Sequence, residues 1–154
     1  MNFDITDEQR MLVDSVRQFT ARDSRIERAR RLREDPVGYE VDVWRQMGEL
    51  GWLAAAFPAS AGGLDGGFVD LALILEEFGK TLVPEPFVPS VVLAGAALLH
   101  GTAGQQERFL QPMLEGRTSL AFAHTERTNR YGGLPIEVSA SRDGSGYLLQ
   151  GRKV

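Results

Sequence analysis

The sequence predicts an α+β chain, with an all-α helical domain over residues 1–117 and the first strands of an antiparallel sheet over 118–154. Two observations predict this. As far as Gly116, apolar residues recur at helical spacing between capping signals and Gly or Pro turns. From Ser119 onward the period drops to two, and Asp143-Gly144-Ser145-Gly146 reads as a hairpin turn between alternating runs. The stretch Thr118 to Glu126 marks the change. A helical layer ending on a first strand makes a crevice, so this stretch is where function is expected.

Thr6 and Gln9 have capping-box spacing, with Asp7 and Glu8 in the first turn, where the helix dipole favours acids. Leu12, Val16 and Phe19 then give this first helix an apolar face. Between Arg22 and Asp35 six arginines alternate with Asp23, Glu27, Glu34 and Asp35, the pattern of a solvated helix face or a subunit rim. Val43, Met47 and Leu50, beside Trp44, predict a short second helix closed by Gly51 as a left-handed C-cap. The run GWLAAAFPASAGGLDGG is a compact surface loop or a loop for close approach to a ligand; its glycines allow either.

Leu71, Leu75 and Phe78 form the stripe of a third helix, and Ala72, Leu73 and Ile74 fill its circumference, which predicts a central, buried helix. Glu76 and Glu77 read as its solvated end. After Pro84, Pro86 and Pro89, Ser90 is placed to cap a fourth helix reaching Leu99. Ala94 to Ala97 keep one side of it slim, for a neighbouring helix or for a long thin ligand. Thr102 and Gln105 open a fifth helix with Phe109, Leu110, Met113 and Leu114 inward. Pro112 kinks or restarts that helix and Gly116 ends it. Beyond it, Leu120, Phe122 and His124 point one way along a strand. Ile136 to Ala140 and Tyr147 to Gln150 pair as a hairpin, and the sheet reads as unfinished at Val154.

The totals exclude several functions. A net charge of −4 argues against nucleic acid as a partner, and the absence of cysteine removes disulfides, thiol nucleophiles and thiolate metal sites. The acidic first residues are no secretory signal, and the apolar region Phe87 to Leu99 is interrupted and too short to span a bilayer. A cytoplasmic chain with no membrane partner and no metal site is expected.

The order of these pieces resembles the amino-terminal part of the acyl-CoA dehydrogenase family. The likeness is carried by FDITDEQ at Phe3 to Gln9, by WRQMGELGWLAAAFPASAGGLDGG at Trp44 to Gly67, and by LALILEEFGKTLVPEPFVPS. QQERFLQPMLEGRTSLAFAHTE and YLLQGRKV continue it. The resemblance implies a helical amino-terminal domain followed by the start of an antiparallel β-barrel-like middle domain. It also implies FAD as cofactor, acyl-CoA as substrate oxidised to the trans-2-enoyl-CoA in fatty-acid degradation, an electron-transfer flavoprotein as acceptor, and an oligomer in the full-length form.

Carried over by position, the resemblance puts Phe122, His124, Thr125, Glu126 and Tyr131 at the flavin, with the Thr125 hydroxyl as a direct contact. Val92, Gly95, Leu99 and Tyr131 fall on the acyl side. No catalytic residue is implied within the chain, because the family's base lies beyond residue 154; the chain alone is therefore expected to be inactive. The sequence departs from the family after Glu126. Arg127-Thr128-Asn129-Arg130-Tyr131-Gly132-Gly133 stands where Pro-x-Ala-Gly-Ser-Asp is usual, and a two-residue shift brings Gly132 and Gly133 into register. That departure opens an alternative role as a non-catalytic partner subunit. Flavin monooxygenases and oxidases share the architecture and are a further alternative.

Overall fold

Both sequence-level capping boxes close in the computed structural model, which describes residues 4–23, 26–128 and 136–154. At the start of α1 (Asp7–Asp23), Gln9 N–H donates to Thr6 Oγ1 at 3.2 Å and Thr6 N–H to Gln9 Oε1 at 3.0 Å. At the start of α6 (103–114), Thr102 and Gln105 repeat the exchange at 2.8 and 3.3 Å. Between them lie α2 (Ile26–Leu32), α3 (Val41–Glu49), α4 (Phe68–Thr81) and α5 (88–98). The chain divides into two compact units, Met1–Ala121 and Phe122–Val154.

The first unit is held by a chain of edge-to-face aromatic rings. Phe19 of α1 meets Trp52 at 5.2 Å, Trp52 meets Phe78 of α4 at 6.0 Å, and Phe78 meets Phe87 at 5.3 Å. Such contacts add to the burial of large rings because the positive edge of one faces the negative face of the next. Trp44, Met47, Leu53, Ile74, Leu110 and Met113 fill the surrounding core.

Gly51 and Gly116 terminate α3 and α6 at φ +77° and +69°, as their positions predict. Gly116 also packs against α3. A Cβ there would stand 2.7 Å from Trp44 O, and one on Gly48 would stand 2.5 Å from the Glu115 carbonyl carbon. In the loop after Trp52 the close approach is to the chain itself. Leu64, Asp65 and Gly66 donate back to the carbonyls of Ala54, Phe57 and Ala55, and a Cβ on Gly63 would sit 2.0 Å from Phe57 O. The compact-loop reading describes this segment.

Several expectations are corrected. α4 is one-sided: Leu71, Ile74 and Phe78 are buried, whereas Ala72 is exposed and Leu73 and Leu75 are only half-buried. Glu77 is buried, not solvated. Its carboxylate accepts from Arg17 of α1 at 2.9 and 3.4 Å and from Lys80 at 2.8 Å, and against the opposing effect of burial these cations hold its pKa below the usual range.

Arg28 is not on a solvated face either. It is 8% exposed and grips the fully buried carboxylate of Glu85 through both Nη atoms while its Nε donates to Glu40 at 2.8 Å. Burial alone would lower the Arg28 pKa, but the bonds to Glu85 and Glu40 outweigh it and the net shift is upward. Leu50 and Phe109, expected inward, are 48% and 40% exposed. In α6 the helix widens into π-type turns over Gln106–Leu110 before restarting at Gln111–Leu114. Pro112 brings no N–H and crowds the carbonyl four residues back, which accounts for the widening.

The second unit contains an antiparallel hairpin, β1 (Ser139–Asp143) and β2 (Gly146–Gln150), in register from Ser139↔Gln150 to Asp143↔Gly146. Gly144, at φ +57°, supplies the positive φ that a two-residue hairpin loop requires. Every residue of both strands is exposed. The stretch 118–126, expected as a strand, forms no ladder. Glu126 alone makes a bridge, and the sheet among the described residues consists of β1 and β2.

Candidate functional site

Ser90 lies inside α5 rather than at its cap; the helix begins at Val88 with Pro89 in its first turn. Its side chain is fully buried, and its hydroxyl takes both polar groups of one peptide residue. Oγ donates to Leu120 O at 2.7 Å and accepts from Leu120 N–H at 3.0 Å. Two more side chains hold the residues just before it. Trp44 Nε1–H donates to Thr118 O at 2.9 Å, and Tyr39 OH lies 3.0 Å from Ser119 Oγ. The end of the first unit is thus fixed by three side chains in place of a strand partner. Removing the hydroxyl strands a half-buried N–H and C=O together, so Ser90→Ala is expected to cost about 1–3 kcal/mol, read as a lower denaturant midpoint at unchanged slope.

Elsewhere on α5, Gly95 is turned to the core. A Cβ there would lie 2.6 Å from the Phe57 ring and 3.1 Å from Met113 Cε. Its slim side therefore admits packing neighbours. Val92 and Leu99 are half-buried against the same core, and the exposed face of the helix carries Val88, Leu93, Ala96 and Ala97. That face is apolar; of the four residues read as one slim side, Ala96 and Ala97 lie on it, whereas Ala94 and Gly95 are buried.

In the second unit, Phe122, His124 and Thr125 come together. The Phe122 and His124 rings stack at 5.6 Å with an 11° interplanar angle, the same-side placement that a period of two predicts. His124 Nδ1 lies 3.1 Å from Phe122 O, and its Nε2 lies 3.3 Å from Thr125 Oγ1. Among the described residues, the N–H groups of Phe122 to Thr125 and the carbonyls of Ala123 and His124 have no intramolecular partner, while Thr125 O accepts from Val154 N–H at 3.0 Å.

Glu126 is 1% exposed and faces its own unit. Its carboxylate accepts from Lys153 Nζ at 2.6 Å, from Glu137 N–H at 2.6 Å and from Val138 N–H at 3.1 Å. Lys153 first, then the two amides, pull its pKa down to about 2 from an ordinary 4.5. A depressed carboxyl pKa contributes stability that is full above the ordinary value and is lost as pH falls through the folded one. The clasp is therefore expected to hold above about pH 4.5 and open toward about pH 2. The Glu137 and Val138 amide resonances are expected to titrate with a midpoint near 2, and Glu126→Gln to flatten that curve. A midpoint near 4.5 contradicts the clasp.

Tyr131, Gly132 and Gly133 lie outside the described residues, as does the rest of the departing loop beyond Thr128. Among the described residues no cluster of His, Asp or Glu is arranged for a metal ion, and no helix is long and apolar enough to cross a membrane. A groove of about 410 Å³ lined by Met11, Phe19, Leu50 and the polar Asp14 and Arg22 holds none of the expected site residues. Sequence reasoning missed the roles of Ser90 and Lys153, whose partners lie 30 and 27 residues away.

Comparison with known proteins agrees with this architecture. Residues 6–117 match the model of the acyl-CoA dehydrogenase N-terminal domain. The chain is 30% identical over its whole length to acyl-CoA dehydrogenase FadE29 of Mycobacterium tuberculosis, covering 40% of that protein. It is 30% identical to the caffeyl-CoA reductase-Etf complex subunit CarC of Acetobacterium woodii, over 78% of the chain and 32% of that protein. A solved acyl-CoA dehydrogenase complexed with FAD from Bacillus anthracis superposes with a TM-score of 0.84 at 25% identity, covering 97% of this chain and 26% of that one. The chain belongs to the acyl-CoA dehydrogenase family. It spans 40% or less of the length of these relatives.

Proposed function

We propose that the chain is the amino-terminal part of an FAD-dependent acyl-CoA dehydrogenase that converts an acyl-CoA thioester to the trans-2-enoyl-CoA. The observation that carries the cofactor half of this reading is the set of unpaired N–H groups of Phe122 to Thr125 and unpaired carbonyls of Ala123 and His124 among the described residues. It offers peptide N–H donors and C=O acceptors beside a flat stacked pair of rings, and a planar heterocycle with donors and acceptors along one edge fits such a surface. The residues present therefore fit FAD. Phe122, His124 and Thr125 would hold it, and Glu126 would set the position of Thr125 from the next residue through its clasp to Lys153.

Bound FAD supplies the acceptor for the hydride that leaves the substrate. On the substrate side, Val92 and Leu99 with the exposed Leu93, Ala96 and Ala97 support a role for α5 as an apolar wall for an acyl chain. The relative CarC, named as part of an Etf complex, supports an electron-transfer flavoprotein as partner.

The buried carboxylates of Glu77, Glu85 and Glu126 are each committed to cations or amides, so none of these three is free to act as the base. The purified 154-residue chain with added FAD is accordingly expected to keep a visible flavin band after desalting and to reduce no dye when given acyl-CoA. Dye reduction overturns the assignment of the base to another part of the enzyme. A colourless folded chain overturns the cofactor assignment.

A further inference from the structure

We propose that Glu126 is a chemical guard: by holding the Lys153 ammonium in its clasp it closes that amine to acylation by thioesters. Glu77 and Glu76 do the same at Lys80. Only the class of reagent, a thioester, is taken from the acyl-CoA reading above.

A thioester is an acyl donor as well as a substrate for oxidation. Lysine reacts with it only as the free amine. Nζ first gives one proton to water, and its lone pair then forms a C–N bond to the carbonyl carbon. The C–S bond breaks with its electron pair on sulfur, and a second Nζ proton goes to the departing thiolate. The product amide has lost the positive charge and with it the ion pair. Arginine stays protonated and takes no part. Of the 17 basic side chains only Lys80 and Lys153 are lysines, so these two carry the chain's side-chain amines.

Lys153 Nζ lies 2.6 Å from Glu126 Oε1, and its side chain is 27% exposed. That carboxylate cannot follow the amine outward. The amides of Glu137 and Val138 fix it at 2.6 and 3.1 Å, and Val154 N–H, bonded to Thr125 O at 3.0 Å, ties down the chain next to Lys153. To attack, the amine must leave a fixed negative charge and shed a proton, losing a charge-assisted hydrogen bond as it reacts. Lys80 stands between two carboxylates, Glu77 at 2.8 Å and Glu76 at 2.9 Å. Glu77 is itself held by Arg17, and the bonds to Glu77 first and Glu76 next keep the Lys80 pKa above its ordinary value. The Lys80 side chain is 50% exposed, so it is the less protected of the two. Acylation of Lys153 would take the cation from a buried carboxylate, so the guard protects the clasp that forms it.

The test treats the 154-residue chain at about pH 8 with S-acetyl-N-acetylcysteamine, an uncharged thioester without a nucleotide. It therefore reads the lysines whether or not the chain binds acyl-CoA. Acetylation at each lysine is followed by peptide mass spectrometry, in buffer and in urea that unfolds the chain. Folded, Lys153 is expected to react at least about tenfold more slowly than in urea, the factor for giving up a hydrogen bond between charged groups. Lys80 is expected to be protected by a smaller factor. Glu126→Gln keeps an oxygen for the two amides and removes the charge. It is expected to speed Lys153 severalfold and leave Lys80 unchanged, with the amide spectrum of β1 and β2 reporting that the hairpin is intact. Lys153 reacting as fast folded as unfolded overturns the proposal, and this comparison needs no variant. Undiminished protection in a folded Glu126→Gln chain also overturns it, because burial alone would then be the cause.

Discussion

Replacing Glu85 by glutamine is expected to lower the stability of the helical unit by about 3–5 kcal/mol, because it leaves the buried guanidinium of Arg28 without its main counter-charge. Glu85 has a fully buried side chain and accepts from both Nη atoms of Arg28, itself 8% exposed. Removing one member of such a pair costs far more than the pair contributes, since the survivor keeps its desolvation penalty and loses the field that offset it. Glu40 is the weaker counter-charge, since it is more exposed and is shared with Arg31. The check is chemical denaturation followed by helical circular dichroism. A double replacement, Arg28→Met with Glu85→Leu, is expected to recover most of the loss, because an apolar pair carries no stranded charge. A single variant within about 1 kcal/mol of wild type, the size typical of an exposed pair, contradicts the buried-pair account.

Trp52→Ala is expected to cost a similar amount, about 3–5 kcal/mol, for a different reason. Trp52 is 1% exposed and sits between Phe19 and Phe78, so truncation breaks the aromatic chain at its middle and opens a cavity that rigid rings on both sides cannot fill. Trp52→Phe keeps one ring and is expected to lose less than half as much. Equal losses from the two replacements would contradict this account, because the ring and the volume that phenylalanine keeps would then contribute nothing.

The features legible in the sequence are those whose partners are close along the chain. The capping boxes at Thr6/Gln9 and Thr102/Gln105, the C-caps at Gly51 and Gly116 and the turn at Asp143 to Gly146 each depend on a few consecutive residues, and local chemistry decides them. What sequence reasoning missed depends on distant partners. Arg17 finds Glu77 across 60 positions and Arg28 finds Glu85 across 57, so an arginine-rich run with ordinary surface composition gave no sign that one member is buried.

Ser90 was legible as a helix-start residue, and it does lie in the first turns. Its hydroxyl turns instead to Leu120, a backbone whose need for a partner no pattern in the sequence records. The segment 118–126 has a strand's periodicity without a ladder, since period two reports which way side chains point and not whether a partner strand is at hand. Of the candidate site, the grouping of Phe122, His124 and Thr125 followed from that periodicity and from the resemblance. The inward carboxylate of Glu126 did not, because Lys153 and the amides of Glu137 and Val138 come from beyond the intervening loop.

The central claim is that the stretch from Phe122 to Thr125, with its unpaired N–H groups, is where the chain meets a flavin. Amide proton–nitrogen spectra of the labelled chain, titrated with FAD, test it most directly. The account predicts shifts concentrated at Phe122, Ala123, His124 and Thr125, with the buried amides of α1 and α4 unmoved. Shifts at Met11, Asp14 and Leu50 with none in 122–125 would place any flavin in the groove beside α1 and contradict the account.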